Sequence, residues 1–290
     1  MSQGLVWERD GRDWPNRAFS RFVTAGGLRW HVQVMGQGPV LLLLHGTGAS
    51  THSFRDLARL MAESCTVVMP DFPGHGFTAT PASGAGFSLP GVANGIAALL
   101  RALALEPRLA VGHSAGAAVA ARMCLDGAIA PDALVSLNGA LLPFPGPAKD
   151  FFGPAARILA SSRFAAQALT FLAGSRPSVE RLIRSTGSRI DPEGLRLYGK
   201  LVGNAGHVGG ALALMANWDL QPLMRDLPRL APRVVLVSGG NDGMVPPSEA
   251  FRIRALLPRA EMVSLRGLGH LAHEEKPAEV AALLRRVAEA

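Results

Sequence analysis

Short apolar runs bounded by glycine and proline alternate along the chain with longer stretches whose apolar residues recur at helical spacing. Leu28 to Val34 alternates apolar and polar and ends at Gly36, which predicts a half-buried strand in a hairpin with Val40 to Leu44. Val40 to Leu44 is apolar throughout, as a strand covered on both faces must be. Thr66 to Met69, Leu109 to Val111, Ala133 to Leu137, Val234 to Val237 and Glu261 to Leu265 predict further strands. Between them Phe54 to Ala62, Leu89 to Leu103, Ala115 to Leu125, Ser248 to Leu256 and Ala278 to Val287 have helical spacing. This alternation predicts an α/β fold: a mostly parallel sheet flanked by helices.

From about Leu141 to Leu230 the rhythm breaks, strand-like runs disappear, and proline, glycine, arginine and amphipathic helical pieces take over. The expectation is two segments of one core, residues 1–140 and 231–290, with residues 141–230 inserted as a helical cap. Phe151, Phe152, Ile158, Leu159, Phe164, Leu169, Phe171 and Leu172 are interleaved there with Arg157, Arg163 and Arg176. One reading lines an apolar pocket with that face, Trp218 beside it, and turns the arginines to lipid headgroups or a substrate carboxylate. The other is a packed lid with a solvated basic face.

Hydrophobic residues are 48% and charged residues 18% of the chain, which excludes disorder and supplies one large core. The net charge of +7 is carried almost wholly by arginines scattered along the chain, as coding bias and solubility would leave them. Attraction to an anionic membrane surface or a carboxylate stays open; nucleic acid is disfavoured, because no nucleic-acid module is visible. Cys65 and Cys124 sit in apolar stretches without metal-ligand spacing and read as core residues of a protein in a reducing cytoplasm. Residues 1–13 lack the apolar segment of a secretory signal, and no run reaches membrane-spanning length, so the expectation is cytoplasmic, with peripheral contact at the inner membrane left open. No phosphate-cradling loop or metal-ligand cluster stands out, so no cofactor and no metal are expected.

Chemistry concentrates in three short segments. Gly112-His113-Ser114-Ala115-Gly116 joins a predicted strand to a predicted helix, and a turn that sharp puts its central residue in a strained conformation between small neighbours. A serine hydroxyl there needs a base to take its proton and an acid to hold that base in one tautomer. Asp242, in Gly239-Gly240-Asn241-Asp242-Gly243, and His270, in Gly267-Leu268-Gly269-His270, each follow a predicted strand in the chain order such a serine requires. Ser114, Asp242 and His270 are therefore the candidate catalytic residues, with Ser114 to His270 expected at roughly 2.6–3.5 Å. Asn-Asp-Gly is also ordinary turn chemistry, and His273 competes with His270 but reads as structural. The candidate oxyanion donors are the backbone N–H groups of Ala115 and of Thr47, in the loop after Val40 to Leu44, with His45 bracing that loop. Trp218, Phe144 and His113 are the candidate substrate contacts.

Leu44-His45-Gly46-Thr47-Gly48, Pro70-Asp71-Phe72-Pro73-Gly74-His75-Gly76, the Ser114 turn, the Asp242 loop and Gly269-His270 together resemble the α/β-hydrolase superfamily over nearly the whole chain. A closer resemblance, to the BchO family of magnesium chelatase accessory proteins of bacteriochlorophyll biosynthesis, rests on three stretches. They are Val6 to Arg17, Leu137 to Phe144 and Met215 to Leu220. It implies a role beside magnesium insertion into protoporphyrin IX in photosynthetic bacteria, with chelatase subunits as partners. Serine at position 114 disfavours reactions that use an aspartate nucleophile there, and leaves ester, thioester, lactone and carbon–carbon bond hydrolysis open. Two functions follow: a serine hydrolase acting on a small-molecule acyl substrate, or a tetrapyrrole-binding, chelatase-assisting protein whose triad is idle.

Overall fold

The computed structural model describes residues 4–143, 167, 170 and 175–290. Phe144 and the interleaved apolar and arginine residues named between Phe151 and Leu172 lie outside them. In chain order the strands are β1 (Ser20–Ala25), β2 (Leu28–Met35), β3 (Val40–Leu44), β4 (Thr66–Pro70), β5 (Pro107–His113), β6 (Ala133–Leu137), β7 (Arg233–Gly239) and β8 (Glu261–Leu265). The helices are α1 (Trp7–Asp10), α2 (Arg55–Met61), α3 (Leu89–Leu103), α4 (Ala115–Leu125), α5 (Arg176–Ser185), α6 (Pro192–Val202), α7 (Ala205–Ala216), α8 (Gln221–Asp226), α9 (Ser248–Leu256), α10 (Ala272–Glu275) and α11 (Pro277–Glu289). The eight strands form one sheet in the order β1-β2-β4-β3-β5-β6-β7-β8, parallel from β4 to β8.

The predicted hairpin is the one strand pairing that the structure corrects. β2 pairs antiparallel with β1, which carries too little apolar alternation to be read as a strand, and on its other side with β4. The turn is Gly26-Gly27, both with positive φ (56° and 76°), the conformation that a two-residue hairpin needs. β3, buried on both faces, goes instead to the sheet centre between β4 and β5. Its alternate side chains serve two cores. Leu42 and Leu44 pack with α3 and α4 on one side, while Leu41 and Leu43 pack with α2 and α11 on the other.

α4 is alanine-rich because it lies close against the sheet. A Cβ on Gly116 would stand 2.1 Å from the Leu44 carbonyl oxygen. Parallel strands send their carboxyl ends to one edge, so the segments after β3, β4, β5, β7 and β8 all emerge there. The helices α5 to α8 fall between β6 and β7. α6 is held by residues far away in sequence: Leu197 and Leu201 pack against Trp14 and Phe77, and Arg196 and Lys200 pair with Asp13. Trp14 Nε1–H donates to Thr51 Oγ1 at 3.1 Å, and Asn16 Nδ2–H to the Arg55 carbonyl at 3.0 Å. The Val6 to Arg17 stretch is thus a clasp between α6 and the segment from Thr51 to Arg55. Among the described residues no helix is long and apolar enough to cross a membrane.

Candidate active site

Ser114 closes β5 and opens α4 at φ 52°, ψ −119°, a conformation that costs a residue with a Cβ about 1–3 kcal/mol. Backbone bonds hold it there: its N–H donates to the Leu137 carbonyl, and its own carbonyl accepts from Ala117 and Ala140, each at 3.1 Å. The glycines two positions away on either side have no room for side chains: a Cβ on Gly112 would meet the Ala117 nitrogen at 2.3 Å. The hydroxyl is thereby free of structural duty and stands at a helix N-terminus.

Asp242 follows β7, and its side chain is fully buried. Its Oδ1 accepts the N–H groups of Met244 and Val245 at 2.8 and 2.9 Å. Its Oδ2 accepts His270 Nδ1–H at 2.9 Å and Asn138 Nδ2–H at 2.7 Å. Burial alone would push this carboxyl up, but the hydrogen bonds from His270, Val245 and Asn138 and the attraction of His270 hold it below its usual range. A donated Nδ1–H leaves Nε2 as the basic nitrogen of His270. The His270 backbone is pinned too: its N–H donates to the Thr186 carbonyl at 3.1 Å, and its carbonyl accepts His113 Nε2–H at 2.9 Å.

Ser114 and His270 line one cavity of about 470 Å³, together with Thr47, Ala115, Trp218 and His113. No hydrogen bond joins Ser114 to His270 in this geometry; such contacts commonly tighten only with substrate in place. Trp218 is 8% exposed, and α5 and α7 supply much of the wall through Leu182, Ile183, Val208, Leu212 and Met215. His113 is 2% exposed and bonded to the His270 backbone, and burial and the neighbouring His270 push it down to about 3. It therefore acts on His270 more directly than on a ligand. Arg176 borders a separate outer cleft of about 710 Å³ between α5 and α6.

Two buried histidines frame the glycine loop at the mouth of the serine. His45 Nε2 accepts the Phe72 N–H at 2.9 Å and its Nδ1–H donates to the Gly46 carbonyl at 2.8 Å, the bracing role expected of it. His207 Nε2–H donates to the Gly48 carbonyl at 3.1 Å while Nδ1 accepts from Gly76 at 3.0 Å. His273 is buried away from Ser114 and bonded to Ser53 Oγ at 2.7 Å. It sits in a network where Glu274 accepts from Arg55 Nη1 at 2.7 Å and from the Tyr198 hydroxyl at 2.7 Å. Among the described residues no cluster of three or more His, Cys, Asp or Glu is arranged to hold a metal ion.

Sequence reasoning missed Asn138, Tyr198 and His207. Asn138 alone left a trace, as a polar residue with a following glycine at the end of an apolar strand; its φ is +49°.

The Alpha/beta hydrolase family profile matches residues 41–283. The chain is 38% identical to the Magnesium-chelatase 30 kDa subunit of Rhodobacter capsulatus over 264 residues, covering 90% of this chain and 92% of that protein. Among solved structures, an alpha/beta hydrolase fold protein from Burkholderia ambifaria matches with a TM-score of 0.76 at 20% identity, over 98% of this chain and 99% of its own. An esterase from Exiguobacterium antarcticum matches with a TM-score of 0.74 at 18% identity, over 93% and 99%. At such identities the two structures speak for the fold alone. Profile, relative and architecture agree: the chain belongs to the α/β-hydrolase family, as a relative of the Rhodobacter capsulatus Magnesium-chelatase 30 kDa subunit.

Proposed function

We propose that the protein is a serine hydrolase of ester-type bonds, with Ser114 as nucleophile, His270 as general base and acid, and Asp242 as the carboxylate that orients His270. The observation that carries this reading is the 2.9 Å His270–Asp242 bond on a cavity shared with a strained, structurally unengaged Ser114. Ser114 Oγ adds to the carbonyl carbon as His270 Nε2 takes its proton, and the oxyanion falls to the Ala115 and Thr47 N–H groups. Collapse expels the alcohol, protonated by His270, and a water molecule repeats the sequence on the acyl-enzyme to release the acid. The helices between β6 and β7 act as a cap over this chemistry, with Trp218 beside the substrate.

A fluorophosphonate probe should label wild-type protein at Ser114, and p-nitrophenyl esters of graded chain length should be turned over. Absence of both would refute the reading. Asn138 offers a finer check, because it shares Oδ2 of Asp242 with His270. In Asn138→Ala, loss of one charged hydrogen bond should lower kcat/KM by about 10-fold. Asp242 would hold its charge less firmly without this donor, and a kcat/KM within about twofold of wild type would assign Asn138 a purely structural role.

A second reading draws on the relative named Magnesium-chelatase 30 kDa subunit: a tetrapyrrole-binding protein that assists chelatase subunits, in the cytoplasm or at the inner-membrane surface. Titration with protoporphyrin IX tests it, because this reading requires saturable binding that survives loss of Ser114.

A further inference from the structure

We propose that the cavity selects an uncharged, apolar acyl chain and rejects an ester whose acyl end carries a free carboxylate. The proposal rests on the hydrolase reading of Ser114 and adds the substrate class. Its ground is the wall. Among the described residues that line the cavity there is no Asp, Glu, Lys or Arg. The surface away from Ser114 is made by Ile183, Val208, Leu212, Met215, Trp218 and Val245.

Of the polar side chains that border it, Tyr198, Thr186 and His207 are engaged elsewhere. The Tyr198 hydroxyl donates to Glu274 at 2.7 Å, and Thr186 Oγ1–H to the Ile183 carbonyl at 2.6 Å. Both ring nitrogens of His207 hold backbone groups of the Gly48 and Gly76 loops. Burial pushes His207 down to about 4 and His113 to about 3, so neither supplies a cation at neutral pH. The nearest guanidinium in this network, Arg55, lies behind Tyr198 and is bound to Glu274 and Asp191. Among the described lining residues a ligand carboxylate would thus lose its water and meet no lysine or arginine counter-ion, whereas a methylene chain meets the surface it prefers. The net charge of +7 does not soften this, because exposed arginines act across water and are screened.

The test compares p-nitrophenyl hexanoate with the mono-p-nitrophenyl ester of hexanedioic acid, equal in reacting group and nearly equal in length. At pH 7 the neutral ester should have the higher kcat/KM by about 100-fold or more. Turnover of the two within about threefold would overturn the proposal. Leu212→Arg and Met215→Arg should each move the ratio toward the carboxylate ester, and a ratio unmoved by both would count against the wall as the selector. Binding keeps this distinct from the hydrolase reading. With Ser114→Ala, calorimetric titration should detect ethyl hexanoate and find monoethyl hexanedioate at least about 10-fold weaker. If wild-type protein hydrolyses neither ester but the binding preference holds, the hydrolase reading falls and the selectivity stands. If esters are hydrolysed and the carboxylate ligand binds as well as the neutral one, the selectivity falls alone.

Discussion

Ser114→Ala should lower ester turnover by about 10³-fold or more while leaving the melting temperature unchanged, because loss of a nucleophile leaves only the oxyanion site and binding to accelerate the reaction. The stability half of this expectation comes from the elbow itself. Its backbone N–H and carbonyl carry the bonds to Leu137, Ala117 and Ala140, and no structural hydrogen bond depends on Oγ. Alanine keeps a Cβ and so keeps the same strained φ, neither adding nor relieving cost. Steady-state kinetics with a p-nitrophenyl ester, beside a thermal melt, measures both. Residual turnover within about tenfold of wild type would remove Ser114 from the mechanism.

The largest effect on stability should come from Asp71→Ala. Asp71 is fully buried at the end of β4, where Oδ1 accepts the Thr51 N–H at 2.7 Å and Oδ2 accepts His31 Nδ1–H at 2.7 Å and the Phe77 N–H at 2.9 Å. Burial would raise its pKa, but His31 and then His45 and the Phe77 N–H outweigh that and hold the carboxyl well below the usual range. Alanine strands three buried donors from three separate segments, a loss of about 3–5 kcal/mol, or roughly 10 °C in Tm. The sign with pH follows from a depressed folded pKa. The stabilisation is present above the unfolded value of about 3.9 and is lost as pH falls through the folded one, so the gap between wild type and variant should be full at neutral pH and close in acid. A melt at pH 7 that differs by less than about 2 °C would show that these bonds are replaced by water.

Asp71 also marks how far sequence carries. The Pro70 to Gly76 segment is recognisable as a pattern, yet its reason lies in contacts: a Cβ on Gly76 would sit 2.1 Å from Asp71 Oδ2. The doubly covered strand β3 announces itself by an unbroken apolar run and β6 and β7 by largely apolar ones, and α3 and α4 begin and end where their apolar spacing does. β1 is different. Its half-exposed residues leave a weak alternation, and only the Gly26-Gly27 turn and the pairing with β2 make it a strand. Ser114, Asp242 and His270 could be picked out as candidates because each sits in a glycine-rich turn after a strand, a local signature. Asn138, Tyr198 and His207 were not, since what matters about each is a partner 76 to 159 residues away that no local pattern encodes.

The clasp formed by the segment before β1 has a practical side. α6 is fixed to the core by Trp14, Asp13 and the Lys200 bond to the Asp10 carbonyl at 2.8 Å, and the backbone at Gly4 passes so near α7 that a Cβ on Gly206 would come within 2.6 Å of it. Loosening Trp14 would therefore unseat α6 and, through the Gly4 contact, disturb α7, which lines the cavity. Through Asn16, which bonds Arg55 and Arg59, the same clasp also reaches α2 and so the α11 side of the sheet.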